Sequence, residues 1–189
     1  MAKIKNHGIT EINYDLLEKI IAESEHIRSS VYERETYMQP RLNHEDKQIT
    51  EKCADWYKHS GFAIRIKNKK FNNCFPDSFY ETLNIVKDTA KSTLYKFIPG
   101  QFTPPHRDLM GDYISNSDVD KNNLVKVWVA ISEPELGHAL FIGKEHVIYN
   151  VPKGTTLQFD FENEWHSGVN AGIKDRYFLT MIGERIQHG

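Results

Sequence analysis

The apolar residues of this chain change period part-way along it. In the first half they recur at helical spacing: Tyr14, Leu17, Ile20 and Ile21 form one stripe, Ile49, Cys53, Trp56 and Tyr57 a second, and Phe79, Leu83 and Val86 a third. Residues so spaced lie on one face of an α-helix, so three helices are predicted. The first is capped by Asn13 and runs to about Arg28. The second spans Glu45 to His59 and stops at Gly61, and the third starts from a capping box of Ser78 with Glu81. Phe62 to Lys67 reads as a strand between the last two. From Thr93 onward the period drops to two. Val125, Val127, Val129 and Ile131 alternate with Lys126, Trp128 and Ala130, the pattern of a strand with two unlike faces. Either Lys126 or Trp128 could face a site, and packing and surface roles are the ordinary reading of each. Leu94 to Phe97 is an aromatic strand ended by Pro99-Gly100, and Ala139 to Ile142 pairs with His146 to Val151 about Gly143-Lys144. Thr155 to Phe161 and Arg176 to Gly183 complete the β region.

One domain over residues 1–189 is expected, with 1–92 as a helix-rich buttress and 93–185 as the β core. The chain of 189 residues is 39% hydrophobic and 26% charged, an ordinary globular composition, and its net charge is −2. Mixed signs argue against a surface that tracks nucleic acid. The short run Lys67-Asn68-Lys69-Lys70 reads as a solvated loop. No apolar run approaches a membrane span and the N-terminus is polar, so a reducing, cytoplasmic setting is expected. Cys53 and Cys74 lie in separate segments without CxxC spacing, which suggests no disulfide framework. The linker Leu109 to Asn123, rich in Asp, Asn, Ser and Gly, suits either an active-site lid or a passive loop.

The chemistry concentrates in His106-Arg107-Asp108, Trp165-His166 and Arg176. On an extended segment His106 and Asp108 project to one side while Arg107 points away. His166 must then come from a distant strand. Nitrogen and oxygen donors without cysteine favour iron, manganese or zinc, and two imidazoles with one carboxylate, holding one face of an ion and leaving the other open, favour Fe(II). Ordinary readings stand beside this one: core or surface histidines, and an Arg176 paired with Asp175. His138 and His146 lack metal spacing and read as structural or exposed.

The order of these features from Leu94 to Gly183 resembles the Fe(II)/2-oxoglutarate-dependent dioxygenases. It is most similar to their small prolyl-hydroxylase-like and aspartyl/asparaginyl-hydroxylase-like members, some of them viral. Ser132 to Ala139 looks like that family's turn between a core strand and the next hairpin. The resemblance implies a mainly β fold with N-terminal helices, a double-stranded β-helix (a cupin-like jelly roll). It implies His106, Asp108 and His166 as Fe(II) ligands and Arg176 as the clamp on the far carboxylate of 2-oxoglutarate. Of the same-face pair Tyr95 and Phe97, only Tyr95 can add a hydrogen bond to that cosubstrate. With O2 as the other cosubstrate, the implied reaction is hydroxylation of an amino acid or peptide side chain with release of succinate and CO2. The chain departs from the family at Phe178, where a small hydroxyl residue often follows the arginine, and Thr180 is the available substitute. A nucleobase or nucleic-acid dioxygenase and a non-enzymatic jelly-roll binding module are the alternatives. A small-molecule or peptide partner is expected, without membrane.

Overall fold

Strand pairing reaches further toward the N-terminus than the change of period suggests. The computed structural model describes residues 3–30, 62–103, 105–108 and 120–187. In chain order these form β1 (Lys5–Ile9), α1 (Tyr14–Glu23), β2 (His26–Ser30), β3 (Phe62–Lys67), α2 (Asp77–Leu83), β4 (Lys91–Phe97), β5 (Leu124–Ala130), β6 (His138–Ile142), β7 (His146–Tyr149), β8 (Thr155–Gln158), β9 (His166–Asn170) and β10 (Arg176–Glu184), with short 3-10 turns between some of them. The expected helix over Glu45 to His59, Cys53, and most of the polar linker after Asp108 lie outside the described residues.

A large antiparallel sheet runs in the order β1-β8-β5-β10-β4-β3-β2, and a small one in the order β7-β6-β9. After β4 the chain crosses to the small sheet, where Phe102 bridges to Val169 and His106 to His166. It returns for β5, crosses for β6 and β7, returns for β8, crosses for β9 and returns for β10. That alternation is the double-stranded β-helix, and the fold is mainly β.

The period-two pattern supplies two cores. Val125, Val127 and Val129 of β5 enter a core shared with Leu17 and Ile20 of α1 and with Phe79, Tyr80 and Leu83 of α2. Trp128 and Ala130 point the other way, into a barrel core with Leu140, Ile142, Phe159 and Phe161. β10 divides likewise, Leu179 and Met181 outward and Phe178 inward. Its register sets Phe178 opposite Tyr95 and Ala130, and Thr180 opposite Trp128 and Thr93. Tyr95, Trp128, Phe178 and Thr180 therefore share the inner face.

Several expected boundaries move. The Asn13 side chain caps α1 by accepting from the Leu16 N–H at 3.0 Å. The helix ends at Glu23 and not near Arg28, because Ser24 turns extended and the chain pairs as β2 against β3. Five ladder positions there outweigh another turn of helix. Nor does α2 use a Ser78–Glu81 box: its cap position is two residues earlier, at Pro76, whose φ of −69° suits a helix entrance. Ser78 lies inside the first turn, where its carbonyl accepts the Thr82 hydroxyl. β8 stops at Gln158, because the Phe161 N–H turns back onto the Phe159 carbonyl and folds both rings into the barrel. Among the described residues of this buttress strands stand beside the helices, since β1, β2 and β3 extend the sheet that also contains β4, β5, β8 and β10. Lys70 of the basic run lies 3.9 Å from Glu23, which pairs the run with an acid. Among the described residues no helix is long and apolar enough to cross a membrane.

Leu179 is fully buried where the sheet meets the helices. Leu179→Ala is expected to lower the free energy of unfolding by about 2–5 kcal/mol, measured in denaturant. Burial also pushes the Cys74 thiol up to about 11, so it holds little thiolate near pH 8. Peptide mapping after iodoacetamide treatment should find Cys74 unmodified in the folded protein and labelled after denaturation.

Candidate metal centre

Backbone pairing places the two histidines side by side. The His106 N–H donates to the His166 carbonyl at 3.0 Å, and the His166 N–H returns a bond of 2.9 Å to the His106 carbonyl. Residues opposed in this way project to one face, and the ring centroids are 4.3 Å apart. Asp108, two residues on, is anchored by its N–H to the Phe161 carbonyl at 2.8 Å. Its carboxylate reaches both rings: His166 Nε2 is 3.3 Å from Oδ2 and His106 Nε2 3.8 Å from Oδ1. One donor atom from each of the three lies within 4.8 Å of the others. The Arg107 guanidinium is over the Trp165 ring.

The surroundings suit a metal. His166 Nδ1 lies 3.0 Å from the Glu164 carbonyl, a contact that orients the ring with Nε2 toward Asp108. Phe159 and Phe161 stack on each other and set their rings edge-on to His166 at 5.3 and 5.4 Å, which excludes water from that side. Burial alone would raise the pKa of Asp108, yet the Lys126 ammonium and the two imidazoles hold its carboxyl well below the usual range. The Lys126 ammonium bonds directly to Asp108 Oδ2 and lies 4.8 Å from the Phe161 ring centre. A cation already stands against the Asp108 carboxylate, so this candidate donor set accommodates positive charge.

Deeper in the barrel is Arg176. It is 5% exposed, and one terminal nitrogen donates to the Ala139 and Val169 carbonyls at 2.5 and 2.8 Å. Its guanidinium carbon lies 5.7 Å from the Trp128 ring centre and 5.6 Å from that of Phe178. Burial lowers its pKa to about 10, which leaves it charged at neutral pH. The local reading of Arg176 fails: Asp175 pairs with Lys96 at 2.6 Å, and among the described residues no carboxylate pairs with Arg176. Adjacent residues on a strand face opposite ways, so Asp175 has no route into the barrel. The buried Trp128 Nε1–H also has no hydrogen-bond partner among the described residues. Tyr95 stacks on Phe178 at 4.9 Å, on the same inner face as Arg176. His138 is buried against the Lys174 carbonyl at 3.3 Å, a structural role.

Lys126, Trp128 and Gly168 were not separable from structural residues by spacing alone. Alternation groups Lys126 with Trp128 but does not say which face turns inward. Gly168 carried a signal, a glycine within a strand two residues after a ligand histidine. A Cβ there would lie 3.1 Å from the Phe97 ring and 3.7 Å from Arg176 Nη1, so the missing side chain makes room for the ring while the guanidinium lies at ordinary contact distance.

A scan of protein-family models and a search of curated proteins each find no match. Solved structures with a similar chain trace include a predicted oxalate decarboxylase from Thermotoga maritima, at 14% identity and TM-score 0.39, covering 66% of this chain and 82% of that one. An uncharacterized conserved protein with a double-stranded β-helix domain from Klebsiella pneumoniae has 14% identity and TM-score 0.35, covering 52% and 70%. A cupin 2 conserved barrel domain protein from Rhodopseudomonas palustris has 15% identity and TM-score 0.38, covering 67% and 65%. The barrel assignment rests on this chain's own strand order, and the activities named for those proteins are theirs.

His106→Ala, Asp108→Ala and His166→Ala are each expected to weaken Mn(II) binding by more than about 100-fold in calorimetric titration, with circular dichroism unchanged. A folded variant with wild-type affinity would remove its residue from the ligand set.

Proposed function

We propose that the protein is an Fe(II)/2-oxoglutarate-dependent oxygenase that hydroxylates an amino acid or peptide side chain. The observation that carries this reading is the buried Arg176, a full charge inside the barrel with no acid paired to it among the described residues. Such a charge costs several kcal/mol unless a counter-charge joins it, and a bound carboxylate supplies one. A planar guanidinium suits that ligand because its N–H groups match the two oxygens. The unsatisfied Trp128 indole N–H is a second donor nearby, and the Tyr95 hydroxyl a third on the same face.

His106, Asp108 and His166 would hold the iron. Bound there, Fe(II) supplies the chemistry with O2 by which 2-oxoglutarate loses CO2 and becomes succinate, one oxygen atom going to succinate and the other to the second substrate. The protein's own tasks are to orient and to shield. Arg176 fixes the far carboxylate of the cosubstrate, and the Phe159 and Phe161 rings keep water from His166. Asp108 fills the place that a small residue would leave open to halide, which favours an oxygenated over a halogenated product. The mixed surface charge suits a small molecule or peptide better than a nucleic acid, and a reducing compartment suits Fe(II).

The test of the activity is anaerobic titration with Fe(II) and 2-oxoglutarate, followed by oxygenation in a metabolite and peptide screen for succinate. Binding of both without succinate from any substrate would point to the binding-module alternative. Arg176→Gln removes a shielded, charge-assisted pair worth about 2–3 kcal/mol, so the 2-oxoglutarate Kd should rise about 30- to 150-fold with Mn(II) binding retained. Unchanged 2-oxoglutarate affinity would leave Arg176 a structural residue.

A further inference from the structure

Lys126 occupies an unusual position for a structural lysine. It projects from the inner face of β5 with its side chain only 14% exposed, and its ammonium bonds to Asp108 Oδ2. The same carboxylate lies against His166 Nε2 and His106 Nε2, the nitrogens that complete the donor set. The Phe161 ring backs the ammonium from the barrel side. The carboxylate that a metal needs is thus already neutralised by a tethered cation. A divalent ion and an ammonium compete for one carboxylate where both side chains of the pair are largely buried.

We propose that Lys126 is a positioning residue of the metal centre: it holds the Asp108 carboxylate in place while no metal is bound, and an entering metal must displace it. Metal binding is then an exchange of one cation for another. The arrangement keeps Asp108 ionised and facing the two histidines, a geometry that would otherwise rely on an unpaired buried carboxylate. It also lowers the affinity for the ion, because the lysine pair has to be broken first. The inference rests on the reading of His106, Asp108 and His166 as metal ligands and is independent of 2-oxoglutarate.

A purely structural ion pair makes the opposite forecast. Its loss would loosen the site and weaken or leave unchanged the binding of metal, whereas removal of a competitor strengthens it. The test is calorimetric titration of the full chain with Mn(II), for wild type, Lys126→Met and Lys126→Arg, together with thermal unfolding of the metal-free forms. Lys126→Met is expected to bind Mn(II) at least about tenfold more tightly while the metal-free Tm falls, and Lys126→Arg, which keeps the cation, to stay near wild type. Lys126→Gln, still able to donate to Asp108 without charge, should also bind more tightly and serves if the methionine variant does not fold. Metal binding by Lys126→Met alone would support the proposal in its strongest form. Equal or weaker affinity in the folded neutral variants would overturn the lysine's role and leave the ligand set standing. Absence of binding in every form would overturn both.

Discussion

Every central strand of the large sheet has to bury two faces, and the rest of the molecule answers that constraint. The outward residues of β5 and β10 need an apolar cover, which α1 and α2 provide. The inward ones need a second sheet, which β6, β7 and β9 provide. A barrel closed in this way creates an interior where side chains from several strands meet out of water. His106 and His166 face one another there because their backbones pair, and Asp108 follows two residues later.

That interior contains more charge than a structural core would keep. Asp108, Lys126 and Arg176 all point into it, and ionised groups are costly to bury without partners. Asp108 and Lys126 satisfy each other. Arg176 relies on two backbone carbonyls, which stabilise its N–H groups without cancelling its charge. Apolar replacements would pack such a barrel at lower cost, so charges retained here are best understood through what they bind. The candidate donors His106, Asp108 and His166 suit a cation, while the Arg176 guanidinium lies near the Trp128 and Phe178 rings.

Local interactions account for what could be read along the chain. The stripes that became α1 and α2, the Asn13 cap, the two-faced strand at Val125 to Ile131 and the hairpin about Gly143-Lys144 depend on near neighbours, and each formed close to where it was expected. Boundaries moved where a distant partner competed. Ser24 ended α1 because β3 was available for pairing, and Phe159 and Phe161 left β8 because the barrel had room for their rings.

The same division separates the parts of the site. Spacing alone determined that His106 and Asp108 share a side, that Arg107 does not, and that Lys126 travels with Trp128, because a strand repeats every two residues. Only the tertiary structure decided which side faces inward, since either face of an amphipathic strand can be covered from outside or inside. It alone opposed His106 to His166, sent Asp175 to Lys96, left Arg176 without an acid among the described residues and set Lys126 on Asp108. These pairings join residues far apart in the chain, and their energies depend on burial and charge that exist only once both sheets have closed.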